Sequence, residues 1–298
     1  MRIDHTNFDA ESILDGILAW ARIESPTYHT EGVNAVMTLA ANELSAMGAQ
    51  VARRPGADGY GDIATATFGH GTEPATPGIL VLSRLDTVHE LGTIDGPLPI
   101  RRDGDKQFGP GVLDMKGGAR LAIEAYKAVR HSGVSPRLPI TFMFTPDEEV
   151  GSPSARQAIE DEAQKNRFVL VPEPLRPSGD VVVGRHAIQR FRVRTVGKPS
   201  HAGLNKRDGR SAIAQMAQTI QDIEALNDYG REMTYAIGTV HGGTFVNGVA
   251  IDCSAEVLCV APSDDRLETV RANMHALAGE ANGVRIEIEQ LVHRPIAP

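Results

Sequence analysis

Three runs of apolar residues constrain the fold more than anything else in the chain: ILVLS at 79–83, ITFMF at 140–144 and FVLV at 168–171. They are continuous rather than alternating, as in strands covered on both faces, and a run that short fits a strand better than a helix. Patterns with helical spacing lie between them, from Lys116 to His131 and from Ser154 to Ala163. Strand and helix in alternation predict an α/β fold with a mainly parallel sheet sandwiched by helices. Upstream, Asp9 is placed to cap a first helix with Ile13, Leu14, Ile17 and Leu18 on one stripe, and a second helix over Glu31–Met47 stops at Gly48. The GTEPATPG stretch at 71–78 reads as a loop and not as a linker between domains.

Beyond about Gly179 the pattern changes. GDVVVGRHAIQRFRVRTV and VRIEIEQL alternate, which marks strands with one solvated face. The order is a strand, a helix over 209–226, strands over 235–240 and 250–260, a helix over 263–277 and a strand over 284–291. That order predicts a split βαβ, ferredoxin-like second domain. At 298 residues a chain exceeds what one core usually supports, so two domains are expected, here 1–183 and 184–298. Cys253 and Cys259 lie an even number of residues apart in an apolar run, which predicts two buried, unpaired thiols on one strand face.

A net charge of -8 argues against nucleic acid or an anionic membrane as partner, since both reward clustered Lys and Arg. The N-terminal residues carry no apolar signal core, and no window is apolar enough to span a bilayer. A cytoplasmic protein is the expectation.

In a parallel α/β sheet, function collects at the carboxyl ends of the strands. There the chain places Arg84 and Asp86, then Asp147, Glu148 and Glu149, then Glu173, with Asp114 in GPGVLDMKGG before a helix. Taken singly, such carboxylates are usually helix caps or solvated loop residues. Several at one sheet edge repel one another unless protons, bases or a divalent cation compensate, which makes a metal site the physical expectation. The adjacent Glu148 and Glu149 suit a division of labour, one ligating and one acting as general base toward water.

These motifs resemble a known family, the glutamate carboxypeptidase, acetylornithine deacetylase and succinyl-diaminopimelate desuccinylase group of co-catalytic zinc hydrolases. The resemblance rests on LVLSRLDTV, GPGVLDMKGG, TPDEEVGS and VPEP in the first half, and on SHAG at 200–203 and the Asn247 region in the second. It implies a zinc-exopeptidase-like domain with a lid that also dimerises, and hydrolysis of amide or peptide bonds in small N-acyl amino acids or dipeptides at two zinc ions, with Mn, Co or Mg as alternatives. By position, Asp114 is similar to the carboxylate bridging both ions, Glu149 and Glu173 to ligands of one ion each, and Glu148 to the general base. Asp86 resembles the residue that orients a histidine ligand, His201 the histidine that polarises the scissile carbonyl in the partner's site of a homodimer, and Asn247 a companion donor in substrate binding. Lys116 and the two glycines after it resemble the tight entry to the following helix.

The chain departs from the pattern at three places. Arg84 stands where the resemblance implies a histidine ligand, and a guanidinium stays protonated and cannot ligate. The other ion's histidine belongs, in the family, to a closing segment after the lid, whereas this sequence stops at Pro298, and His293 matches no ligand motif. The expectation is then an oxygen-only donor set, suited to Mg²⁺, Mn²⁺ or Ca²⁺, or a site in which Arg84 pairs with Asp86, Asp114 or Glu173 in place of a metal. A catalytic domain without its closing segment should also expose apolar surface. Leu258 replaces an arginine that in many relatives grips a substrate carboxylate. The alternative function is a catalytically impaired relative or truncated product that acts as a dimeric binding or scaffold protein.

Overall fold

A computed structural model describes residues 8–69, 76–133 and 136–297; the GTEPATPG loop lies mostly outside them. The chain divides into two compact units, the first ending at Leu175 and the second beginning at Arg176.

The first unit runs α1 (Ala10–Ala21), α2 (Thr30–Ala46), β1 (Gln50–Arg54), β2 (Ile63–Phe68), β3 (Gly78–Arg84), β4 (Arg101–Asp103), β5 (Lys106–Phe108), α3 (Lys116–His131), β6 (Ile140–Thr145), α4 (Arg156–Ala163) and β7 (Asn166–Leu170). Asp9 caps α1 by accepting the backbone N–H groups of Glu11 and Ser12, and Gly48 follows the end of α2 with φ near +92°, a conformation that favours glycine. The sheet order is β1-β2-β6-β3-β7. Strands β6, β3 and β7 run parallel, as the sequence predicts, while β1 and β2 add two antiparallel pairs at one edge. Small alanines at 64 and 66 face the core and threonines at 65 and 67 the other side, so β2 lacks the bulky apolar pattern that marks the other strands.

Successive residues of the central strands serve opposite faces. Val81, Phe142, Phe144, Ala64 and Ala66 pack with Trp20, Met37, Leu44, Ile123 and Tyr126 from α1, α2 and α3. Leu80, Met143 and Ile63 pack with Ala155 and Ala158 at the start of α4. The sheet is thus covered on both sides over β6 and β3. Strand β7 differs from its expected burial: Phe168, Val169, Leu170 and the following Val171 are exposed, because β7 is an edge strand with β3 as its neighbour.

The second unit runs β8 (Ala187–Val196), α5 (Ala212–Glu224), β9 (Thr234–Gly242), β10 (Asp252–Ala261), α6 (Asp264–Ala276), β11 (Gly279–Ala281) and β12 (Val284–Arg294). Its sheet is antiparallel, in the order β11-β12-β8-β10-β9, which is the ferredoxin-like order with one short added strand. Phe191 and Val193 of β8 and Val257 of β10 face Met216, Ile223, Val270 and Met274 of the helices. Residues 179–186 form no regular strand, and Val181, Val182 and Val183 are exposed, so the predicted first strand starts later, at Ala187. Cys253 and Cys259 share the buried face of β10 as free thiols, and burial pushes the Cys259 thiol up to about 12.

Candidate active site

Parallel pairing of β3 with β6 puts Arg84 opposite Thr145, and the Leu85 N–H donates to the Thr145 carbonyl at 3.0 Å. The segments leaving both strands are therefore side by side. Asp86 is fully buried there. Its carboxylate accepts the Thr27 hydroxyl at 2.8 Å and the N–H groups of Glu148 and Glu149 at 3.2 and 3.1 Å. Burial raises its pKa, against the pull of these donors and of Arg84. Asp147, also fully buried, accepts the N–H groups of Ser154 and Ala155 at 2.6 and 3.2 Å. The two aspartates fix the turn Glu148–Val150 at both ends, which aims the glutamates.

The loop with Asp114 and the segment with Glu173 meet through glycine. A Cβ on Gly118, in the first turn of α3, would lie 1.8 Å from the Pro172 carbonyl oxygen, so only glycine lets that backbone approach. Lys116, fully buried at the start of α3, donates from Nζ to the Ile23 carbonyl at 2.7 Å and ties α3 to the segment after α1. Burial lowers its pKa to about 7, although Glu24 and Asp86 act in the opposite direction. The helix-entry expectation for Lys116 and its glycines is met, with the added role of the amine as a tie.

At the centre lies Arg84, its side chain only 4% exposed. Nη2 donates to Asp114, Nη1 donates to Glu149 Oε1 at 2.6 Å and to the Asp86 carbonyl at 3.0 Å, and Nε lies 2.9 Å from Glu148 and 3.4 Å from Glu173. Burial acts to lower its pKa, and the four carboxylates outweigh that and raise it. Glu149 and Glu173 are both raised by burial, with Arg84 opposing, and Glu173 reaches about 7. The pairing expected with Asp114 and Glu173 is present. The pairing with the Asp86 carboxylate is not, because hydroxyl and backbone donors fill it. Glu148 and Glu149 take that place. Thr27, which sequence reasoning passed over, sits in SPTYHT with no pattern to distinguish it from any loop threonine.

The site therefore offers Asp114, Glu148, Glu149 and Glu173 as oxygen donors around one point, with a guanidinium already on it. Among the described residues no group of three or more His, Cys, Asp and Glu side chains is arranged to hold a metal ion. With Arg84 inserted, the residues present do not fit a divalent ion between these carboxylates.

In the second unit, the segment of His201 pairs with that of Asn247: Ala202 N–H donates to the Asn247 carbonyl at 3.0 Å, and Val249 N–H to the Ser200 carbonyl at 2.9 Å. His201 and Asn247 are both exposed on these facing segments, and the His201 Nδ1 accepts the Gly203 N–H. The structure thus brings together Asp86, Asp114, Glu148, Glu149 and Glu173 with Arg84 in one unit, and His201 with Asn247 in the other.

The sequence pattern of Peptidase family M20/M25/M40 matches residues 80–293. Carboxypeptidase G2 from Pseudomonas sp. (strain RS-16) is 31% identical over 217 residues, covering 72% of this chain and 51% of that protein. An acetylornithine deacetylase from Buchnera aphidicola is 24% identical over 212 residues, covering 67% of this chain and 53% of that one. The chain spans about half the length of the curated relatives it matches. In fold it resembles aminopeptidase PepT from Bacillus cereus, with a TM-score of 0.73 at 20% identity over 97% of this chain and 77% of that one. It also resembles the M20 family metallo-carboxypeptidase Sso-CP2 from Sulfolobus solfataricus, with a TM-score of 0.68 at 14% identity over 95% and 78%. The matched span runs from inside β3 into β12 and so contains the whole carboxylate centre as well as His201 and Asn247, and the chain belongs to peptidase family M20/M25/M40, whose members are generally metal-dependent.

Proposed function

We propose that the chain serves the hydrolysis of amide or peptide bonds in small N-acyl amino acids or dipeptides. The convergence of Asp114, Glu148, Glu149 and Glu173 at the carboxyl ends of β3, β6 and β7, within a span that matches the family, carries this reading. Glu148 is the general base in it. Its carboxylate is 41% exposed, the most open of the three glutamates, and its backbone is held by Asp86, so it can take a proton from water and return it to the leaving amine. Asp86 acts as a positioning residue through the N–H groups of Glu148 and Glu149. His201 and Asn247 would polarise and bind the substrate in the partner's site of a homodimer, formed through the second unit. Two zinc ions do not fit the centre while Arg84 fills it.

The test is amine release from a panel of N-acyl amino acids and dipeptides, with and without Zn²⁺, Mn²⁺ or Co²⁺. E148Q should lower turnover by roughly a hundredfold or more while leaving the melting temperature near that of the parent. Absence of turnover under every condition sinks the reading, and an unaffected E148Q removes Glu148 from the role. The four ion pairs of Arg84 favour a second reading, a binding or scaffold relative without turnover. Its signature is calorimetric binding of an N-acyl amino acid that is never cleaved.

A further inference from the structure

We infer that Arg84 is a built-in counter-cation, which occupies the point where Asp114, Glu148, Glu149 and Glu173 converge and keeps these carboxylates assembled without any metal. A divalent ion reaches the same oxygens only when the guanidinium is gone.

Four observations support this. A guanidinium on a side chain only 4% exposed is costly unless its nitrogens meet partners, and here Nη1 and Nη2 donate to Glu149 and Asp114, while Nε makes no hydrogen bond but has Glu148 at 2.9 Å. The carboxylates come from three separate segments, after β6, after β7 and before α3, so a single side chain cross-links them. The root of the side chain is fixed at the site, since Arg84 is the last residue of β3 and the next peptide N–H, of Leu85, donates to the Thr145 carbonyl. The same oxygens serve both kinds of cation, and two positive centres a few ångströms apart repel. An ion that entered beside Arg84 would have to take Glu149 and Asp114 from it. Without the guanidinium, the remaining oxygens form a hard donor set suited to Mn²⁺, Mg²⁺ or Ca²⁺.

The inference concerns what neutralises the carboxylates and holds whether or not the chain turns over a substrate, so binding and melting are the measurements that test it. The full chain, R84Q and R84K are titrated with Mn²⁺ by calorimetry and melted with EDTA or Mn²⁺. The parent should take up no Mn²⁺ at micromolar concentration, and its melting temperature should be the same in EDTA and Mn²⁺. R84Q should melt at least about 5 °C lower in EDTA, recover in Mn²⁺, and bind the ion at least roughly tenfold more tightly than the parent. R84K, which keeps the charge, should remain insensitive to EDTA. Stoichiometric micromolar uptake of Mn²⁺ by the parent overturns the inference, as does an R84Q protein that melts like the parent in EDTA and ignores the ion. Should R84Q fail to fold in either condition, the parent and R84K decide: silence of both toward Mn²⁺ sustains the inference, and uptake by either ends it.

Discussion

Each unit of the molecule has an arginine surrounded by carboxylates, and the two settings differ in nearly everything except chemistry. In the first, Arg84 is buried and meets four carboxylates from three segments. In the second, Arg192 and Arg194 stand on the open face of the sheet. Arg192 pairs with Glu256 and Glu289, both at 3.0 Å, directly across β10 and β12, and Arg194 pairs with Asp252 and Glu287. The exposed ladder follows from strand register, since residues opposite one another, or diagonal as Arg194 is to Asp252, touch on one face. The buried centre follows from topology, which brings the ends of parallel strands together. Solvent screens the ladder and leaves its members replaceable, whereas the Arg84 guanidinium and the fully buried Asp86 depend on their partners because little water reaches them.

Buried groups should therefore respond strongly to single deletions. The largest effect is expected at Asp86, which is fully buried and holds three donors. D86A leaves the Glu148 and Glu149 N–H groups without their acceptor and should destabilise the protein by about 3 kcal/mol in urea denaturation. A loss under about 1 kcal/mol would mean that the turn carrying the glutamates is held by other contacts, and would break the contrast with the ladder.

Next in size is a pH effect at Lys116. Its native pKa of about 7 lies below the ordinary 10.5, so between those values the unfolded chain binds a proton that the native amine does not. Stability from this group therefore rises with pH from about 7 toward 10.5 and is lost as pH falls toward 7. Replacing the amine in K116M should flatten the slope by about 1 kcal/mol per pH unit, read from urea midpoints at several pH values. An unchanged slope would show that Lys116 stays charged in the native state through its bonds to the main chain.

How much of the fold and of the centre is legible in the sequence follows the same division. The strands β3 and β6, the helix α3 and the alternation of β8, β10 and β12 are local patterns, and alternation alone puts the arginines of RFRVR on one strand face and the acids of EIE on another. The acidic residues at the strand ends can be found because the carboxyl-end rule turns a strand prediction into a site prediction. Which carboxylate meets which donor is not legible. Arg84 and Asp86 are two residues apart and invite pairing, yet Asp86 is claimed by Thr27, 59 positions earlier, and by two peptide N–H groups over 60 positions later. The edge position of β7 is equally hidden, since FVLV looks like a core strand and only the sheet order leaves it exposed.

The smallest effect should come from the ladder. R192Q and R194Q each remove a guanidinium that has two carboxylate partners, but the partners sit in water and regain hydration when the cation leaves. Neither variant should shift the melting temperature beyond measurement error, and high salt should leave the parent and both variants equally stable, because the pairs are screened already. The double variant sharpens the comparison, since it strips the two paired cations from a face of β8 that then keeps only Arg190, and leaves Asp252, Glu256, Glu287 and Glu289 without them. If it melts lower in dilute buffer and recovers in salt, the ladder acts through repulsion among the acids it normally offsets. If it melts like the parent in both, β8 is held by Phe191 and Val193 on its inner face, and the ladder contributes little beyond solubility.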